Sequence, residues 1–304
     1  MAPLNWLRAL RISIVGFCMG TADLIPGVSG GTIAFVGGIY PRLLDAIKSF
    51  DLVTLRMALR LDWKGLRERI PWAFLFPLGL GLATAILSLS HLLASLFQSH
   101  PIELWSFFFG LVAGSTVLLV HQTWRWGVMD AALFLAFAVA TYVVVGLPVM
   151  RFPDSLPFVF LSGAIAICAM ILPGISGSYI LVILGKYHTI LEALNRRDVL
   201  TIGVFLCGIV VGILSFVRIV SWLLHTWRHA TLVALTGVMA GALRTVWPWK
   251  VTVATRINSH GVEVPMTQVN VAPPDLNSLL IALALAVVGG IAVIAVSRLA
   301  PEKS

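Results

Sequence analysis

Two short runs in this chain combine proline, glycine and hydroxyl side chains at matched spacing. One reads PGVSGGT from Pro26 to Thr32; the other, 147 residues further on, reads PGISGS from Pro173 to Ser178. A run of this kind breaks a helix, because proline removes a backbone donor and glycine costs conformational entropy. It also presents successive backbone N–H groups and hydroxyls, then leads into a helical arm whose N-terminus carries partial positive charge. Those features suit the capture of an anion, a phosphate or a carboxylate, without a fixed cation. The candidate ligands are Gly27, Ser29, Gly30, Gly31 and Thr32 in the first run and Gly174, Ser176, Gly177 and Ser178 in the second. Small residues also let membrane helices approach closely, so a single copy would be ambiguous between packing and binding. Two matched copies favour a site.

Charged residues inside apolar stretches extend the list. Arg218 lies within the stretch 202–224, where a cation is expensive unless it is paired or beside an anion, and it is the first candidate for a cationic phosphate contact. Its alternative is to snorkel toward the interface near Trp222. Asp23 stands three residues before the first break and has Met170 as its counterpart in the second. Its carboxylate could carry a proton, cap local N–H groups or pair with Arg218. Arg244, next to the WPWK run at 247–250, reads as interfacial, as do His91, His121 and His225. Cys18, Cys168 and Cys207 lack metal-ligand spacing and read as buried small hydrophobes. There is no HExxH, no GxxxxGK[ST] run and no convincing Ser/His/Asp set, so a metal, a cofactor, direct ATP hydrolysis and covalent catalysis are not expected.

The elements that position these residues follow from composition. The chain has 304 residues, of which 59% are hydrophobic and 11% charged, too apolar for a soluble globular protein. Eight apolar stretches fall at roughly 12–39, 73–97, 104–121, 129–149, 158–185, 202–224, 231–247 and 277–297, most near the ~20 residues a bilayer requires. Arg42, Lys48, Arg56, Arg60, Lys64, Arg67 and Arg69 crowd one loop, whereas 98–103 and 153–157 contain no Lys or Arg, so the first loop is expected inside and the others outside. Arg8 and Arg11 ahead of the first stretch also argue for the inside, which a single span could not satisfy. A hairpin that enters and returns satisfies both, and its broken backbone must then face protein or a wet cavity.

The expected fold is an all-α polytopic membrane protein built from two inverted repeats, each with one re-entrant helical hairpin and about three transmembrane helices. Residues 1–150 form the first repeat, with its hairpin at about 12–48 and a basic segment at 55–71. Residues 151–304 form the second, with its hairpin at about 158–195 and an outer loop at 250–275. The basic segment reads as an amphipathic surface helix or as an ordinary loop, and the outer loop as a small hairpin. Both termini are expected in the cytoplasm; Arg125, Arg298 and Lys303 fit, while Lys186, Arg196 and Arg197 run against the charge rule. The ten tryptophans read chiefly as an aromatic belt. Gly208 and Gly212 permit a homo-oligomer as well as internal packing, and nothing points to nucleic acid.

The paired motifs, GIYPRLLDAI from Gly38, LGKYHTILEAL from Leu184 and the later WPWK resemble the bacterial polyprenyl-phosphate transporter family, over roughly 10–298. The resemblance implies a flippase of the cytoplasmic membrane that recycles undecaprenyl phosphate, the lipid carrier of cell-wall polymers, from outer to inner leaflet. It carries the family motif onto Asp23, Pro26, Gly27, Ser29, Gly30, Gly31, Thr32, Pro173, Gly174, Ser176, Gly177 and Ser178. On this view only the head group needs shelter, since the prenyl tail is at home in lipid. Transport of another small anion, an intramembrane lipid-phosphate enzyme and a channel are the competing classes.

Overall fold

A computed structural model describes residues 6–25, 27–123, 126–150, 152–257 and 263–298; Pro26, Arg125 and Lys303 lie outside them. The first copy of the motif is carried by α1 (Trp6–Asp23), α2 (Gly30–Val36) and α3 (Tyr40–Lys48). Two short helices follow, α4 (Leu52–Leu59) and α5 (Trp63–Arg69), then three long ones, α6 (Trp72–Ser99), α7 (Pro101–Gln122) and α8 (Val128–Val144). The second copy is α9 (Leu156–Ile171), α10 (Gly177–Ile183) and α11 (Tyr187–Arg196), followed by α12 (Val199–Thr226), α13 (Arg228–Ala242) with a 3-10 turn at Leu243–Val246, and α14 (Leu276–Arg298). Between α13 and α14 stands an antiparallel hairpin, β1 (Lys250–Ile257) and β2 (Glu263–Asn270), in register Lys250 opposite Asn270.

Each apolar stretch expected from the sequence carries helix, and 12–39 and 158–185 are interrupted at the breaks. Among the described residues five helical segments are long and apolar enough to cross a bilayer: Trp72–Ser99, Pro101–Gln122, Val199–Thr226, Arg228–Val246 and Leu276–Arg298. Two more, Val128–Val144 and Leu156–Ile171, are apolar but shorter. The chain is a multi-pass membrane protein.

The motif helices differ from two arms of ~12 residues that a single central break implies. Here α1 alone runs 18 residues, and the returning arm is itself broken. Gly38 (φ 67°) and Gly185 (φ 67°) make a second left-handed turn in each copy, at matched positions. The basic segment at 55–71 is likewise two helices: Asp62 accepts the Gly65 N–H at 2.9 Å and starts α5, while Leu61 turns left-handed at φ 55°. The repeat signal runs up to its edge. Asp51 caps α4 by accepting from Thr54 N–H at 2.9 Å, and its counterpart Asp198 caps α12 by accepting from Thr201 N–H at 3.2 Å. In the second copy that cap opens a spanning helix; in the first it opens the basic insertion.

Four helix pairs make up the bulk of the packing: α1 with α6, α9 with α12, α7 with α14, and α8 with α13. Glycines set the close approaches. Gly16 abuts Leu78 and Gly20 abuts Leu82, so contacts rise together and α1 runs parallel to α6. The same order holds for Phe160 at Gly208 and Ala164 at Gly212 between α9 and α12. Gly110 meets Ala286 and Gly114 meets Gly290 between α7 and α14, while Gly237 meets Phe134 and Gly241 meets Ala138 between α13 and α8. The last two pairs join one half of the chain to the other, because apolar helices in lipid choose partners by close backbone approach.

Several expectations at single residues change. Cys18 and Cys168 are half-buried and Cys207 is exposed on α12, so none is a core residue, and all three are free thiols. Trp105 and Trp249 are buried at 7% and 6% exposure, inside the fold rather than in a belt, because each packs onto aromatic or cationic neighbours. Lys186 is 1% exposed yet satisfied: its Nζ donates to the Phe152 and Pro153 carbonyls and pairs with Asp154 at 2.6 Å. That pairing holds the Asp154 carboxyl below the usual carboxylate range. Arg196 pairs with Glu192 at 2.6 Å.

Candidate functional site

The two breaks come together. Tyr40, at the start of α3, donates from its hydroxyl to the carbonyl of Ile171, the last residue of α9, at 3.0 Å. A Cβ on Gly31 would lie 3.4 Å from that same Ile171 carbonyl and 3.6 Å from that of Met170. Gly31 belongs to the first run, and Met170 and Ile171 lead into the second. Both breaks also rest on one structure, the C-terminal end of α13 and the turn after it. Gly174 (φ 94°) faces Met239 and Ala242, while Gly27 (φ 84°) faces Thr245, whose Oγ1 donates to the Gly27 carbonyl at 3.0 Å. At both glycines the left-handed backbone is needed to turn the chain against a packed neighbour.

The first break is closed on itself. Asp23 Oδ1 accepts the Gly30 N–H at 2.7 Å, and Ser29 Oγ, as N-cap of α2, accepts the Gly31 N–H at 3.1 Å. Ser29 is 1% exposed, and the Thr32 N–H is bonded to the Ser29 carbonyl at 3.0 Å. Thr32 itself is fully buried, and its hydroxyl is one of three buried side-chain polar atoms without a partner among the described residues. Buried hydroxyls are nearly always satisfied, so an orphan in this place is notable.

The second break is open. Ser176, at the N-cap of α10, makes no capping bond; its hydroxyl instead shares a 2.9 Å hydrogen bond with Ser178, which is exposed. With Met170 in the place of Asp23, no carboxylate reaches the Gly177 N–H. Gly177 and Ser178 therefore keep their amides uncapped by side chains.

Arg218 stands apart. It is exposed on α12, and its guanidinium donates to Leu214 O, one turn back on its own helix, at 2.8 Å. Neither Asp23 nor a break residue is among its recorded partners. Arg244 donates to Tyr142 O at 3.1 Å and lies over the Tyr142 ring, 4.5 Å from its centroid.

A cation that sequence reasoning passed over lies beside the first break. Lys250, at the foot of β1, donates from Nζ to Thr245 O at 2.6 Å and sits 3.6 Å from the Trp105 ring centroid. Thr245 thus holds Gly27 with its hydroxyl and Lys250 with its carbonyl. Burial pushes the Lys250 ammonium down to about 7. The signal was available in the WPWK run, but a lysine next to tryptophans at a helix end reads as interfacial. Among the described residues no cluster of His, Cys, Asp or Glu could hold a metal ion.

A polyprenyl-phosphate transporter of Vibrio cholerae serotype O1 is 41% identical over 273 residues, 90% of this chain and 89% of that protein. A polyprenyl-phosphate transporter of Staphylococcus aureus is 29% identical over 269 residues, 82% of this chain and 88% of that protein. No solved structure matches the chain significantly. The model of the undecaprenyl phosphate translocase-like family matches residues 19–264, and with both breaks inside that match the chain belongs to this family.

Proposed function

We propose that the protein carries a polyprenyl phosphate, undecaprenyl phosphate in a bacterial cytoplasmic membrane, from the outer to the inner leaflet so that the lipid carrier is reused. The observation that carries the reading is the convergence of the two breaks on the end of α13. A phosphate cannot cross ~30 Å of hydrocarbon bare, and a protein that shelters the head while the tail stays in lipid removes that cost. The second break would supply the Gly177 and Ser178 amides with the Ser176 and Ser178 hydroxyls; the first would supply the orphan Thr32 hydroxyl on a rigid platform built by Gly27, Ser29, Gly30 and Gly31. Asp23 would keep that platform in shape by holding the Gly30 amide. Names of relatives support a transporter rather than an enzyme.

The direction of the helix pairs supports inverted repeats. Short links join α6 to α7 to α8 and α12 to α13, so neighbours along the chain run antiparallel. If α6 points up, α7 points down, and its parallel partner α14 does too; α8 points up with α13, and α12 points down, opposite to its counterpart α6. With α1 parallel to α6 and α9 parallel to α12, the two hairpins enter from opposite faces, as in transporters that alternate access around a central site. Residues 1–150 and 151–304 are then the two repeats, both termini cytoplasmic, and local neutralisation of Lys186 and Arg196 removes the objection they raise to an outer position.

The test is leaflet exchange of undecaprenyl phosphate in proteoliposomes containing the intact chain. Exchange should be fast, unaffected by ATP and inhibited by short-chain prenyl phosphates but not by inorganic phosphate. Inhibition by inorganic phosphate alone would make this a small-anion transporter. Labelling of single cysteines placed at residues 64 and 98 from opposite sides of the membrane tests the topology.

A further inference from the structure

Lys250 raises a physical question that the two breaks leave unanswered. Its ammonium has three N–H donors, of which one goes to Thr245 O; the Trp105 ring face attracts the charge without accepting a conventional hydrogen bond. Among the described residues no carboxylate pairs with it. The preceding residue, Trp249, is buried, and its indole N–H has no partner among the described residues. A half-buried cation with spare donors, one residue from a buried orphan N–H and one bridging threonine from the first break, lacks only an anion. Lys250 follows the spanning helix that ends at Val246 and opens the hairpin, joined to Gly27 through the two bonds of Thr245.

We propose that Lys250 is the cation that receives the phosphate head of the lipid at the first break, with the neighbouring Trp249 indole N–H as a second donor. The role expected of Arg218 falls to Lys250 on geometric grounds: Lys250 is tied to Gly27 through Thr245, whereas Arg218 bonds to its own helix on an exposed face. A dianionic head would supply the missing counter-charge and restore the charged form of an amine that burial holds near neutrality. The inference rests on the transport reading of the same site. Its rival is purely structural, a latch in which Lys250 pins the β-hairpin to α7 through Trp105.

The decisive experiment measures binding of farnesyl phosphate and of farnesol to the full chain in nanodiscs, for the intact protein, Lys250→Met, Lys250→Arg and Arg218→Met. Lys250→Met should weaken farnesyl phosphate binding roughly 10- to 100-fold, the range of a charge-assisted contact, and leave farnesol binding unchanged. Lys250→Arg should retain most of the affinity, and Arg218→Met should bind as the intact protein does. Equal phosphate affinity in Lys250→Met overturns the proposal, and so does an equal loss for phosphate and alcohol, which is the signature of the latch. If Lys250→Met does not fold, acylation of Lys250 in the intact protein decides: farnesyl phosphate should slow it at least ~10-fold and farnesol should not, and unprotected labelling refutes the assignment. Failure of the intact protein to bind farnesyl phosphate at all would instead sink the transport reading, and this inference with it.

Discussion

The two breaks share a sequence pattern but not a state of satisfaction. In the first, two side chains accept from the first helical amides, Asp23 from Gly30 and Ser29 from Gly31, and the residues around them are buried. In the second, the corresponding serine bonds to Ser178 and leaves the amides of α10 without a side-chain cap. Two differences in sequence go with the contrast: an acidic residue at position 23 against methionine at 170, and glycine at 31 against serine at 178, whose hydroxyl engages Ser176. A duplicated motif can thus differ in kind, one copy holding its first helical amides with side chains while the other leaves them uncapped.

Several experiments would break or sharpen this contrast. The largest effect is expected from Gly174→Ala. The backbone there is left-handed, and a Cβ would lie 3.0 Å from Met239 Cα, which cannot move without shifting α13. A cost of about 2 kcal/mol or more should lower the thermal unfolding temperature and abolish lipid exchange. Gly27→Ala should do less harm, since its neighbour is the Thr245 side chain at 3.3 Å. Equal damage at both would mean that the breaks are equally constrained.

Next come the serines, which should behave in opposite ways. Ser29→Ala removes a cap and should cost ~1 kcal/mol of stability in thermal unfolding, with exchange falling only as the fold weakens. Ser176→Ala should leave unfolding almost unchanged and reduce exchange several-fold. The reverse pattern would transfer the binding role to the first break. Tyr40→Phe cuts the direct link between the copies at Ile171; a loss of about 1 kcal/mol is expected, read by the same thermal assay. The smallest effect on stability belongs to Thr32→Val, which deletes a hydroxyl that has no partner among the described residues. Unfolding should be unchanged or slightly improved while exchange declines; an unaltered exchange rate would remove Thr32 from the site.

Much of the fold was legible because membrane helices declare themselves by length and composition, and the doubled run declared the breaks. The second turn of each motif was also visible, in the identities Gly38/Gly185 and Tyr40/Tyr187, but one break per hairpin already explained the glycines. The cross-pairing of α7 with α14 and α8 with α13 was not legible, since every apolar face is equally content in lipid and only the geometry of Gly110, Gly114, Gly237 and Gly241 selects partners. Which side of the fold a charge faces was not legible either. Arg218 is central in its helix by sequence yet exposed in three dimensions, while Lys250 lies outside any span yet folds back beneath Trp105. Sequence position reports depth along a helix and says little about which side faces the interior.

The support that both breaks share has a mechanical consequence. Met239, Ala242 and Thr245 sit within about two turns of one rod, with Gly174 leaning on the first pair and Gly27 on the third. A shift of that rod is therefore felt at both breaks at once, since each packs a left-handed glycine directly against it. Neither break can be repacked without disturbing the support of the other.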